Sequence, residues 1–132
     1  MTACPSCDVV QTALQQVVGN PKHQPLLISE LFSRDYCQKV DGNTLNFEQF
    51  LQHMALLKQI THSMTLEILA IVAEGDAVLT HHLVNVEKHD GSQSQIRVLA
   101  HFTVRNGKIQ SCVELTQLLV GQHEDRDLGS RQ

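Results

Sequence analysis

Apolar residues recur at helical spacing through the first half of the chain. Between Asp8 and Val18 they form one stripe, and the run Gly19-Asn20-Pro21 supplies a stop. Pro25 suits the first turn of a second helix, whose apolar stripe we expect to end near Ser33. The pattern therefore predicts two helices before residue 34.

A third helix is predicted after the turn at Asp41-Gly42. Asn46 suits the N-cap, and Gln49 stands three positions later, as in a capping box. The apolar stripe then continues through Phe47, Phe50, Leu51, Met54, Leu57 and Ile60.

From Ser63 onward the pattern changes to that of β-strands. β-Branched residues gather, and the turn dipeptides Gly75-Asp76, Asp90-Gly91 and Asn106-Gly107 separate the runs. We expect four antiparallel strands and a short extra strand between Tyr36 and Leu45. The four strands are expected near 64–74, 77–89, 95–105 and 108–119.

Two-residue loops at these turns would fix which residues face each other across the sheet. One predicted cross-strand row contains Ile71, Thr80, His101 and Cys112, and the next contains Leu69, His82, Leu99 and Glu114. This register gathers two histidines, a thiol and a carboxyl on one face. His81 would point to the opposite face from His82, which excludes a metal site made by that pair.

Composition and charge exclude several classes of function. The net charge is -4 with 10 Lys plus Arg, so the chain lacks the clustered positive surface that nucleic acid requires. Glu67, Glu74 and His81 interrupt the longest apolar stretches, so we expect no span of the roughly 20 apolar residues that cross a bilayer. Nucleic acid and membrane are therefore not expected partners.

The length suits a single domain over residues 1–132, with loosely ordered ends at 1–7 and 122–132. No secretory signal is visible between Met1 and Val10, so we expect a cytoplasmic protein. In that compartment Cys4, Cys7, Cys37 and Cys112 would remain thiols. The Cys4-Pro5-Ser6-Cys7 segment is interpreted as a helix start that holds two thiols, because it lacks the βαβ setting of a redox motif.

Several segments together resemble the SnoaL-like branch of the nuclear-transport-factor-2-like superfamily. They are 36–57 (YCQKVDGNTLNFEQFLQHMALL), Glu74-Gly75-Asp76, 101–109 (HFTVRNGKI) and 112–116 (CVELT), and the tail 125–130 (DRDLGS) is similar to endings of small bacterial members. The resemblance implies an α+β fold, in which a cone-shaped, curved antiparallel sheet forms a half-barrel and three N-terminal helices cover a pocket. Such proteins usually form homodimers.

The resemblance also implies where an acidic group would act. SnoaL-like cyclases carry an acid on the last strand in a Gly-Lys-Ile-x-x-His-Trp-Asp type of segment, and the matching stretch here is 107–114 (GKIQSCVE). Glu114 takes the place of the acid, whereas Cys112 replaces the His and Val113 replaces the Trp.

These observations define a candidate site. Glu114 is the expected acid/base, because a carboxyl that is desolvated under a helical lid has a raised pKa. His82 and His101 are expected to shuttle protons or to bind a carbonyl. The remaining pocket residues are predicted to be Tyr36, His53, Leu69, Thr80, Leu99, Cys112 and Thr116. We expect neither a metal nor another cofactor, since no ligand spacing supports one.

Two functions stay open on the sequence alone. The first is a cofactor-independent isomerase, cyclase or dehydratase that acts on a small apolar or carbonyl ligand. The second is a non-catalytic ligand-binding or dimeric interaction module, in which Glu114 would lie on a solvated sheet face. Fold alone does not choose between them. In both cases we expect a homodimer through the sheet, because its apolar surface exceeds what three short helices cover.

Overall fold

The helices occur where the apolar pattern predicts them. A computed structural model describes residues 4–131, so the expectation of loose order at residues 1–3 and 132 lies outside the described residues. Helix α1 spans Pro5–Thr12 and continues as a π-helical turn over Ala13–Val18, in which the Gly19 N–H bonds to the Leu14 carbonyl at 2.9 Å. Helix α2 spans Pro25–Leu31.

Helix α3 spans Phe47–Ile60 and begins with the predicted capping box. The Asn46 side chain accepts from the Gln49 N–H at 2.9 Å, and the Gln49 side chain accepts from the Asn46 N–H at 2.9 Å. Phe50, Met54 and Leu57 are buried on the sheet side of this helix. The sequence signals therefore fix both the start and the buried stripe of α3.

The sheet has six strands, in the order β2-β1-β6-β5-β4-β3. Their bounds are β1 Phe32–Val40, β2 Asn43–Asn46, β3 Thr61–Glu74, β4 Ala77–Lys88, β5 Gln93–Arg105 and β6 Lys108–Val120. The sheet is curved and unclosed, as the α+β prediction requires. It is mixed and not purely antiparallel, because β1 runs parallel to β6.

The first and third predicted hairpin turns are confirmed. Glu74 pairs with Ala77, and Arg105 pairs with Lys108, so each loop contains two residues. Asn106 and Gly107 both adopt positive φ, at 54° and 74°, which is the requirement of a type I′ turn.

The predicted middle turn is wrong by one residue. Glu87 pairs with Gln93, so five residues, 88–92, separate these two paired positions, whereas a two-residue turn leaves an even number. The extra residue shifts β5 by one position, and Thr80 therefore faces Ala100 instead of His101. Gly91 adopts a φ of 86°, a conformation that completes longer hairpin loops. A one-residue shift turns every side chain of β5 to the other face.

Two of the register shifts within the hairpins affect the predicted cross-strand rows. The β3–β4 pairing shifts between Ile68 and Ala70, so Leu69 stays unpaired and His82 faces Ile68. The β5–β6 pairing shifts between Thr103 and Val104, at the level of Gln110. This second shift compensates for the extra residue in the middle loop. The side chains of β6 therefore lie on the predicted face of the sheet relative to those of β4.

The polar tail makes specific contacts with the sheet and the core. Residues 123–127 form a short 3-10 helix, and the Asp125 side chain is buried, where it accepts from the Ser94 hydroxyl and pairs with Lys88 Nζ at 2.6 Å. Leu128 is buried in the main core. These contacts hold the tail against β4, β5 and the core.

The cysteine prediction is corrected at one pair. Cys4 and Cys7 form a disulfide at the start of α1, whereas Cys37 and Cys112 are free thiols.

None of the helices within residues 4–131 has both the length and the apolar character needed to span a bilayer.

Candidate active site

A cavity of about 90 Å³ lies between the concave face of the sheet, the helices and the C-terminal tail. Most of its wall is apolar, and the polar side chains that line it are Gln38, His53, His82, Glu114 and Thr116. The apolar lining comes from the helices, the strands and the tail: Leu14, Val18, Phe50, Met54, Leu57, Met64, Val84, Val86, Ile96, Val98 and Leu128. An apolar cavity with a few polar groups is the usual composition of a small-molecule binding site.

Glu114 projects into this cavity from β6. Its register places it against Ala100 of β5 and beside Val40 of β1, two side chains that cannot solvate a carboxylate. Desolvation raises the pKa of Glu114, and the nearby Asp41 carboxylate raises it further. The Cys112 thiol lowers this pKa by donating a hydrogen bond to Oε1 at 3.4 Å. The net result is a pKa of about 7. Glu114 can therefore hold or release a proton near neutral pH.

Asp41 is itself held in place by β6. Its carboxylate accepts from the Thr116 N–H at 2.8 Å and from the Thr116 hydroxyl, and its own N–H bonds to the Glu114 carbonyl at 3.0 Å. Asp41 has a φ of 50°, a left-handed conformation that Asp tolerates better than most residues. The turn between β1 and β2 thus fixes a second carboxylate near Glu114.

Gln38 brings an amide to the cavity from β1. The Tyr36 hydroxyl donates to Gln38 Oε1 at 2.8 Å, and both side chains are buried. That bond fixes the orientation of the amide, which leaves the Gln38 NH₂ group as a hydrogen-bond donor. Burial also raises the pKa of Tyr36 well above its ordinary value, so the phenol keeps its proton.

His82 is a neutral imidazole on the concave face of β4. It is 2% exposed, and burial lowers its pKa to about 4, with a smaller contribution from neighbouring His81. Its Nδ1 lies 3.0 Å from the Thr80 hydroxyl. That contact leaves Nε2 as the second polar atom of the ring, and the ring itself lines the cavity.

His53 connects α3 to the tail. Its Nδ1 donates to the Arg131 carbonyl, and burial lowers its pKa below the ordinary value. A carbonyl can only accept, so the proton of the neutral ring sits on Nδ1 and Nε2 is an acceptor. Because Leu128 and Gly129 also line the cavity, the tail forms part of its wall.

The structure brings together seven of the ten side chains that the sequence analysis selected. His53, His82, Glu114 and Thr116 line the cavity, while Tyr36, Thr80 and Cys112 lie behind it. Each of the last three hydrogen-bonds a lining residue, namely Gln38, His82 and Glu114 respectively.

Three selected side chains are misplaced. His101 and Leu99 are exposed on the convex face, because the middle loop turns β5 over, and Leu69 is exposed at a bulge in β3. His101 therefore cannot act in the cavity. Gln38 also lines the cavity but was not predicted from the sequence, although its even spacing from Tyr36 and Val40 along one strand indicates that all three side chains lie on the same face.

A family comparison identifies the chain. The model of the SnoaL-like domain matches residues 22–112, which include β1 and most of the sheet. The chain therefore belongs to the SnoaL-like family. It is also 35% identical over 98 residues to an uncharacterized protein of Schizosaccharomyces pombe, a match that covers 74% of this chain and 75% of the relative.

Solved structures agree with a SnoaL-like fold. IdmH of Streptomyces antibioticus, proposed to be a polyketide cyclase, superimposes with a TM-score of 0.73 at 19% identity, over 87% of this chain and 93% of IdmH. An LEH-like epoxide hydrolase of Mycobacterium tuberculosis gives a TM-score of 0.73 at 16% identity, over 86% of this chain and 83% of that protein. At these identities the likeness shows the cone-shaped fold and no shared substrate.

Proposed function

We propose that the cavity binds a small neutral carbonyl compound and that Glu114 transfers a proton to or from it without a cofactor. The observation that carries the proposal is the Glu114 carboxyl, which lies in a largely apolar cavity with a pKa of about 7. A general acid or base is most effective when its pKa lies near the working pH. Isomerisation, cyclisation and dehydration are reactions that such a transfer serves.

The groups around Glu114 favour an uncharged ligand. Burial lowers the pKa values of His53 and His82, so both rings are neutral near pH 7. An anionic ligand would lose its hydration in this cavity, and the side chains that line it offer no cation to balance the charge but do include the Glu114 carboxyl. The Gln38 NH₂ group can instead donate to a carbonyl oxygen while the Glu114 carboxylate takes a proton from the adjacent carbon.

Structural relatives of the family support a reaction on a small molecule. The names of IdmH and of the epoxide hydrolase refer to reactions of small organic molecules. The replacement of a family-type His by Cys112 is compatible with proton transfer, because Cys112 donates to Glu114 and burial keeps its thiol protonated by raising its pKa.

Proton exchange offers a direct test that needs no knowledge of the natural substrate. Wild-type protein is incubated in D₂O with small ketones such as acetone and cyclopentanone, and deuteration of the α-carbon is followed by NMR. We expect acceleration over buffer with a midpoint near pH 7, and a loss of about 10²-fold or more in Glu114→Gln. Glu74→Gln, at an exposed hairpin end, is the matched control and should exchange like wild type.

Equal exchange rates in wild type and Glu114→Gln would contradict the catalytic proposal. If both proteins nevertheless bound the ketones with the same affinity, the non-catalytic ligand-binding alternative would replace it.

We also propose that two copies associate through the convex face. Large apolar side chains stand exposed there in neighbouring strands, where Leu99 is 50%, Val113 50% and Leu115 66% exposed. Contiguous exposed apolar surface of this kind is typical of protein interfaces. Sedimentation velocity should give a dimer for wild type and for Leu26→Lys on α2, but a monomer for Leu115→Lys. A wild-type monomer would overturn the proposal.

A further inference from the structure

The Cys4–Cys7 pair stands apart from the cavity and has no part in the proposed proton transfer. The two residues open helix α1, with Pro5 at its first position, and their sulfurs are bonded. Their Cα atoms are 5.2 Å apart, inside the range that disulfides span without backbone movement. The reduced and oxidised forms therefore fit the same helix start.

The two sulfurs lie in different surroundings. Cys4 is the N-cap, and its Sγ accepts from the Cys7 N–H at 3.3 Å and lies 3.8 Å from the Ser6 hydroxyl. Cys7 packs against the hydrophobic core beneath α1. A helix N-terminus and its free N–H groups stabilise a thiolate, whereas apolar packing disfavours one. Cys4 is thus the more reactive sulfur and Cys7 the shielded one.

The other two cysteines do not share this arrangement. Cys37 is exposed on β1, and Cys112 is buried beside Glu114. Both are free thiols.

We propose that Cys4 and Cys7 form a thiol–disulfide exchange site for low-molecular-weight disulfides of the glutathione class. In the oxidising direction the Cys4 thiolate attacks one sulfur of the small disulfide, whose S–S bond breaks and releases one thiolate. Cys7 then loses its proton and attacks Cys4 Sγ, which breaks the mixed disulfide and releases the second thiolate. The sum converts two protein thiols and one small disulfide into one protein disulfide and two small thiols, a two-electron exchange.

The exchange is tested on the full chain by mass spectrometry after reduction and incubation with oxidised glutathione. Wild type should lose two alkylatable thiols within one chain, and this loss should reverse in excess reduced glutathione. Cys7→Ser lacks the resolving thiol and should accumulate one glutathione on Cys4. Cys4→Ser should react at residue 7 about tenfold more slowly, because the remaining sulfur is shielded.

Cys37→Ser is the matched control, since it removes an exposed thiol outside the pair and should leave the Cys4–Cys7 exchange unchanged. Three outcomes would overturn the proposal. They are two persistent thiols at Cys4 and Cys7 in excess oxidised glutathione, a disulfide that joins two chains, and equal reaction rates for Cys7→Ser and Cys4→Ser. The fold is monitored in each variant by circular dichroism, and Ser suits the N-cap position of α1.

Discussion

The two faces of the sheet give the same residue types opposite properties. His82, on the concave face, is 2% exposed, and burial lowers its pKa to about 4. His81 is the next residue along β4, yet it points to the convex face, where its Nε2 accepts from Arg97 Nε at 3.1 Å. One step along the strand separates a neutral ring that lines a cavity from a ring that is hydrogen-bonded to Arg97 on the other face. Strand parity therefore decides which histidine can take part in chemistry.

The apolar residues follow the same division. Val98 on β5 is 4% exposed in the concave core, whereas adjacent Leu99 is 50% exposed on the convex face. The concave side is closed by α1, α3 and the tail, while nothing in residues 4–131 covers the convex side. The difference separates an enclosed cavity from an exposed apolar surface, through which we propose that two copies associate.

The largest expected effect is the difference in unfolding free energy between two substitutions to Asp, one on the concave face of β5 and one on its convex face. Val98→Asp would bury an unpaired charge in the core and should cost about 4 kcal/mol or more of unfolding free energy, enough to unfold many domains of this size. Leu99→Asp should cost less than about 1 kcal/mol of the unfolding free energy of a separated chain, because its side chain reaches water there, and the comparison is made at a protein concentration too low for two copies to associate. Urea denaturation of both variants measures the difference, and similar costs would refute the assignment of the two faces.

His82 should make stability fall in acid. Its folded pKa of about 4 lies below its ordinary 6.5, so the folded protein binds fewer protons there than the unfolded chain. The stabilisation is complete above pH 6.5 and is lost as the pH falls toward 4, by up to about 3 kcal/mol. Unfolding free energies at pH 4.5 and pH 7 should show this fall in wild type and in His81→Gln, but a much smaller one in His82→Gln. An equal fall in all three proteins would exclude His82 as its source.

Glu114 should act in the opposite direction. The pKa of Glu114 in the folded protein, about 7, exceeds its ordinary value of 4.5. Its contribution to the unfolding free energy is therefore complete below pH 4.5 and is lost as the pH rises through 7. Because the side chain is partly exposed, we expect a loss of about 2 kcal/mol. Glu114→Gln should remove this loss and unfold at a higher temperature than wild type at pH 8, whereas Glu74→Gln should not. A Glu114→Gln variant less stable than wild type at pH 8 would show that the carboxylate is well solvated.

The smallest effect concerns the residues behind the cavity. Tyr36→Phe removes the hydroxyl that donates to Gln38 and leaves the buried Oε1 atom without that partner. We expect a loss of about 1 kcal/mol in thermal unfolding and weaker ketone binding, since the amide is no longer oriented. Unchanged stability and binding would mean that Gln38 is positioned by other contacts.

Local signals predicted much of this fold. The capping box at Asn46 and Gln49 located α3, and the glycine turns after Glu74 and Arg105 located two hairpins. These features depend on a few adjacent residues, so they can be recognised without knowing the rest of the chain. Family resemblance supplied the curved shape and the position of Glu114.

The remaining features depend on contacts distant in sequence. The middle hairpin contains the same kind of dipeptide as the others, yet its loop 88–92 turns β5 over, and Gln110 restores the parity in β6. His101 was thereby misplaced, while Glu114 and His82 stayed on one face. The parallel pairing of β1 with β6, which brings Gln38 beside Cys112, and the burial of Asp125 in the tail also arise only in the folded chain.

The most direct test of the central claim is a carboxyl titration of Glu114 by ¹³C NMR, assigned by its loss in Glu114→Gln. We expect the Glu114 carboxyl to titrate near pH 7, because desolvation in the cavity favours its protonated form. We also expect a small neutral ketone in the cavity to perturb this resonance. Titration near the ordinary value of 4.5, with no response to any ketone, would contradict the placement of an acid/base group in a ligand cavity.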